Sequence, residues 1–264
     1  MVSLLGDIGT YAWCRTHSGH LAPQEQARFI TAVLLETLRS APRLLLSRLG
    51  FRGDGPDPSS YTVPDSVLAR RVLEACEHLD PMLVEHGIRT YLFARALGAR
   101  DGLTCDTEAL FAASVLHDYA FPRPDTTDQR CFGFVGASAA AEVLREAALP
   151  PETLHAIQDA IALHLNPTVP AAQGVLPHLM HAGVMVDTLG LRSWHLNQAG
   201  MERVVARHPR YEFTTKGAAG FRAHALRVPA GRARQAWRCG FGYALHLGPW
   251  HAHEQRFAQL AKNA

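Results

Sequence analysis

At 264 residues, the chain is long enough for one large domain or for one domain with terminal extensions. Hydrophobic residues at 47% and charged residues at 19% suit a compact fold and exclude wholesale disorder. A formal net charge of +2 is too weak to indicate a nucleic-acid partner.

Phe29, Ile30, Val33, Leu34 and Leu38 recur at helical spacing and predict a helix within residues 23–49. Pro42 is expected to break it, leaving a short second piece from Arg43 to Leu49. Arg28, Arg39, Arg43 and Arg48 make the stretch basic, but packing on the main domain is expected over docking to a membrane. Residues 50–64, with Gly53-Asp54-Gly55-Pro56 and Pro58, read as a loop. Asp65 is expected to cap a helix reaching Leu79. Asp80-Pro81 starts the next, which should run to Leu97 and stop at Gly98. Asp106 opens another that ends near His117. Residues 119–133 read as a loop, and further helices are expected at 136–147, 151–165 and 177–196. No segment alternates as a strand would, so the expected class is all-α. A bundle-like core would occupy 65–200, with helical extensions at 1–64 and 201–264.

Cys14, Cys76, Cys105, Cys131 and Cys239 form no C-x-x-C pair and suit reduced thiols in the cytoplasm. The amino-terminal residues lack a signal-peptide pattern, and no apolar run is long enough for membrane insertion. Fifteen histidines point instead to metal chemistry.

His117-Asp118 ends the apolar run Leu110 to Leu116. Two metal-competent groups closing a buried helix need a reason to be hidden, and one divalent ion supplies it. His86 shares a helix face with Arg89, Thr90 and Phe93. Asp187 follows Val184-Met185-Val186, where a lone acid needs a partner or a cation. The resulting N/O donor set suits Zn, Mn, Fe, Co or Ni and does not choose among them; one divalent ion, Zn, is the leading expectation.

The ordered set His86, His117-Asp118 and Asp187 resembles the metal-binding signature of the HD superfamily. More narrowly, the chain is similar to the cyanamide hydratase-like branch and to nearby bacterial HD-domain proteins. The similarity is carried by His86 to Ala94, His117-Asp118, Gly136-Ala137, Ile161-Ala162-Leu163-His164 and Gly183 to Asp187, and more weakly by Pro209 to Phe213. It implies an HD metal-binding core, with one metal held by His86, His117, Asp118 and Asp187, and a pocket between helices. Asp118 would also orient a metal-bound water. Members of the family hydrate a nitrile carbon or hydrolyse phosphoesters. Two positions depart from the pattern. Tyr119-Ala120-Phe121 follows the His-Asp pair where relatives often carry Gly, and Val135 stands where an acid is common.

His164 closes an apolar helix and is expected to act on substrate or water, the alternative being a histidine favoured by the helix dipole. His155 and His181 are out of phase with the metal face. Arg89 is a candidate for an anionic substrate group, or for pairing with a bundle carboxylate. Arg123 could reach over the pocket mouth, and Phe121 and Phe134 would supply aromatic walls. Phe132, four residues before Gly136, cannot ligate, so a mononuclear centre is expected.

The leading expectation is a hydrolase or hydratase with a compact apolar pocket for a small uncharged molecule, compatible with a homo-oligomer. The alternatives are a nucleotide or phosphomonoester phosphohydrolase and a non-catalytic ligand-binding protein.

Overall fold

Start signals built from Asp, Ser and Pro punctuate this chain, and each apolar stretch behind one folds as a helix. The computed structural model describes residues 4–48, 53–123, 125–251 and 253–254. Its helices in chain order are α1 (Tyr11–His17), α2 (Pro23–Arg48), α3 (Val67–Ala75), α4 (Pro81–Asp101), α5 (Thr107–Leu116) and α6 (Phe132–Leu144). They continue with α7 (Pro151–Leu163), α8 (Val175–Leu189), α9 (Gln198–Arg207), α10 (Phe213–Arg227), α11 (Arg232–Arg238) and α12 (Phe241–Leu247). Among the described residues the only strand-like pairing is an isolated bridge between His20 and Gly231. The class is all-α. No helix among these residues is long and apolar enough to cross a membrane.

Asp80 and Asp106 cap α4 and α5 as expected, accepting from the backbone N–H of Met82 and of Glu108 and Ala109. Several boundaries differ from expectation. α2 continues through Pro42. The carbonyl that loses its donor belongs to Leu38, which is 71% exposed, so water can satisfy it. α4 passes Gly98 and stops at Gly102, whose φ of 67° lies in the left-handed region. Gly98 serves packing instead: an added Cβ there would lie 3.2 Å from a Leu179 methyl. Ser66 rather than Asp65 caps α3, which ends at Ala75. α6 begins at Phe132, inside the expected loop, and α8 ends at Leu189 with Gly190 as its cap. Residues 50–52 of the expected 50–64 loop, and Leu49 at the end of the expected helical piece before it, lie outside the described residues.

α4, α5, α7 and α8 form the centre, joined by one apolar core that includes Phe93, Leu97, Phe111, Ile161 and Met180. Glycines set how closely they approach. A Cβ on Gly87 would lie 2.7 Å from Val115 Cα, and one on Gly183 would lie 2.2 Å from the Thr90 carbonyl. Backbone therefore packs on backbone where α4 meets α5 and α8. Helices α1 and α11 fold onto this centre. Arg232 of α11, fully buried, donates to the Ala162 carbonyl at 2.8 Å, to Asn166 Oδ1 at 2.9 Å and to the thiols of Cys14 and Cys131. All five cysteines are free thiols.

Candidate metal centre

Two helix ends build the site. His117 caps the C-terminus of α5 and His164 that of α7. A helix end leaves carbonyls without partners, and both histidines use one. The Nδ1–H of His117 donates to the Ser114 carbonyl at 2.7 Å, and that of His164 to the Ile161 carbonyl at 2.6 Å. A carbonyl only accepts, so in its neutral form each ring carries its proton on Nδ1 and turns a bare Nε2 inward. His86, one turn into α4, does the same through Asp187, whose Oδ2 accepts from His86 Nδ1–H at 2.6 Å.

The three Nε2 edges converge on Asp118. Its Oδ2 lies 3.4 Å from His117 Nε2 and 3.9 Å from His86 Nε2, and its Oδ1 lies 3.8 Å from His164 Nε2. The Nε2 atoms of His86 and His117 are 3.2 Å apart. Two lone pairs at that distance repel unless a cation, proton or metal, offsets them. The separation is close to the edge of about 3.3 Å between two imidazole ligands of a tetrahedral zinc ion. His86, His117 and Asp118, all buried, thus form a group able to hold a metal.

Electrostatics fit the same purpose. Burial pushes the pKa of His86 down to about 4 and that of His164 to about 3, so both rings are neutral at pH 7. Burial would also raise the Asp118 carboxyl, but the surrounding histidines hold it well below the usual carboxylate range. In His117 burial is outweighed by the neighbouring Asp118, and the pKa is raised. A divalent cation requires neutral imidazole edges and an ionised carboxylate, and it would displace the His117 proton.

Asp187 stands apart from this group. Fully buried on α8, it accepts from Arg89 Nε at 2.9 Å and Nη2 at 2.8 Å, and from Arg210 Nη1 at 2.8 Å. Burial opposes its ionisation, yet Arg210 and Arg89 hold its pKa far below the usual value. The structure therefore places Asp187 behind His86, fixing that ring from its Nδ1 side, and outside the group of His86, His117 and Asp118 that could hold a metal. Arg89 is correspondingly consumed. Its remaining nitrogen donates to the carbonyls of His208 and Pro209, so it presents nothing to a substrate.

The group forms the floor of a cavity of about 730 Å³, within the usual range for small-molecule pockets. Phe121 lines it. Phe134 does not; it packs on Tyr11 at 5.7 Å between ring centroids. The ring of that segment at the site is Phe132, 5.5 Å from His164, because α6 starts early and turns position 132 inward. Arg123 is exposed and pairs loosely with Asp125 at 3.9 Å, away from the mouth. His155 faces solvent beside Asp159, and His181 is buried against the Asn166 carbonyl, so both lie off the cluster. The expected compact pocket is instead a large one. α2, α10 and α12 supply most of its apolar wall, including Phe29, Phe213, Phe221 and Phe241. Arg210 and Phe213 fall in the weakly similar stretch Pro209 to Phe213, which marked neither as a site residue; the other wall residues carry no sequence signal beyond ordinary helical apolarity.

Compared with protein-family models and with curated proteins, the sequence gives no match. The functional reading rests on the site.

Proposed function

We propose that this chain is a metal-dependent hydrolase or hydratase of the HD type, acting on an uncharged small molecule. The observation that carries the reading is the convergence of three imidazole Nε2 atoms and one ionised carboxylate at the floor of an apolar cavity. When bound, a divalent cation would supply Lewis acidity and a water acidified toward neutral pH. The chain contributes the rest. His86, His117 and Asp118 hold the cation, with Asp187, Ser114 and the helix ends fixing their orientation. His164 keeps a neutral Nε2 beside Asp118 Oδ1 and accepts a hydrogen bond there, orienting a water or a substrate head.

A phosphoryl substrate needs cationic groups around its oxygens. No Lys or Arg among the described residues lines the cavity, and the buried Arg89 and Arg210 are both bound to Asp187. This favours an uncharged substrate over a phosphoester.

Elemental analysis of the purified chain, after loading with zinc, manganese or iron and dialysis, tests the reading. About one metal per chain is expected, lost in His117→Ala and Asp118→Ala. Screening nitriles, amides and esters, with His117→Ala as the blank, should give turnover only with the intact site. A wild-type chain that holds no divalent metal, or activity indifferent to His117→Ala, would overturn it.

A further inference from the structure

The cavity is much larger than a nitrile of a few heavy atoms requires. On the hydrolase or hydratase reading above, we propose that its substrate has an extended, uncharged apolar body. The reactive head lies against His86, His117 and Asp118, and the body runs outward between α2, α10 and α12.

Aromatic rings trace the path. Phe213 lies 4.3 Å from the His86 ring at the floor, and Phe132 lies 5.5 Å from His164. Phe221 follows at 6.3 Å from Phe132, and Phe241 at 4.4 Å from Phe221. At the outer end Tyr243 and Leu247 line the cavity while 81% and 61% exposed, which leaves an apolar rim at the surface. The ionisable groups at the floor are the metal cluster and His164, and cations are missing from the described lining. An anionic group along the body would meet a wall that carries Glu36 and, among the described residues, no Lys or Arg. A partner helix would leave the floor's polar groups unpaired.

Gly217 adds an independent sign. It sits buried in the second turn of α10, inside the helix, where glycine is unfavourable. A Cβ there would touch only the Phe213 ring, at an ordinary 3.7 Å, so packing does not exclude a side chain. The missing side chain widens the cavity beside the floor.

The test uses the full zinc-loaded chain and the neutral dye Nile red, displaced by linear primary amides from butanamide to decanamide. Each methylene taken out of water should tighten binding about fourfold until the cavity is full. Gly217→Leu fills the path and should weaken decanamide by about tenfold or more, with metal content and unfolding temperature retained. Gly217→Ala should stay near wild type. Affinity that does not change with chain length overturns the proposal, as does tighter binding of a decanamide carrying a carboxylate at its far end than of decanamide itself. Unchanged decanamide binding in a folded Gly217→Leu protein also overturns it. Metal content measured on the same samples separates the two readings. A length-dependent series without metal defeats the hydrolytic reading and leaves the apolar site standing. A flat series with full metal defeats this proposal alone.

Discussion

Asp118 and Asp187 are both buried acids beside the same histidine, and their surroundings give them different work. Asp118 faces imidazole Nε2 atoms, whereas Asp187 faces two guanidiniums and an N–H. Substituting each should separate the roles. Asp118→Asn is expected to abolish metal binding. Asp187→Asn should leave a metal site weakened by about 10–100-fold, the usual effect of losing a carboxylate behind a ligating histidine. Competition with a chelating dye measures both, and equal loss in the two variants would make Asp187 a ligand. Asp187→Ala should also cost about 3–5 kcal/mol in denaturant unfolding, because the buried Arg89 would lose its carboxylate and Arg210 would keep only Glu254.

Packing of α4 against α8 holds the site at working distance, and Gly183 makes it possible. Intrinsic helix propensity favours alanine over glycine by about 1 kcal/mol. The added Cβ, however, would lie 2.2 Å from the Thr90 carbonyl, which is backbone and cannot rotate away. Gly183→Ala should therefore push the helices apart, with a net loss of roughly 1–3 kcal/mol. The hydrogen bond from His86 to Asp187 spans the same two helices, so metal affinity should fall as well. Thermal unfolding and metal titration check the two effects together. A Gly183→Ala protein more stable than wild type would contradict the packing described.

Over the whole molecule, buried neutral histidines make folding sensitive to acid. His181 is the example farthest in role from the metal group, donating Nε2–H to the Asn166 carbonyl at 2.8 Å. Burial, aided by nearby His178 and Arg192, pushes its pKa from 6.5 down to about 4. The unfolded chain takes up this proton first. The contribution of His181 is thus complete above pH 6.5 and is lost as pH falls toward 4. The loss is on the order of 3 kcal/mol across that window. His181→Gln keeps a donor without the titration, so its urea midpoint should fall less than that of wild type between pH 7 and pH 4. Parallel slopes for the two proteins would exclude this role.

Local order determined what was legible from sequence. Helix starts at Asp80-Pro81 and Asp106, the all-α class, and the pairing of His117 with Asp118 at a helix end depend on neighbours within a turn or two. Such contacts form whatever the rest of the chain does. His86 was legible because its helical face carries other buried groups. The role of Asp187 was not, since its arginine partners stand 98 and 23 positions away and meet it only where helices cross. The same crossings consumed Arg89, left Arg123 in solvent and turned Phe132 rather than Phe134 toward the site. They also brought α2 and α12, from opposite ends of the chain, together as walls of one cavity. Periodicity tells which side of a helix is buried, but not what it is buried against. That was decided by how closely backbones could approach at Gly87 and Gly183, and by the buried charge of Arg232 joining α11 to α7 and α1.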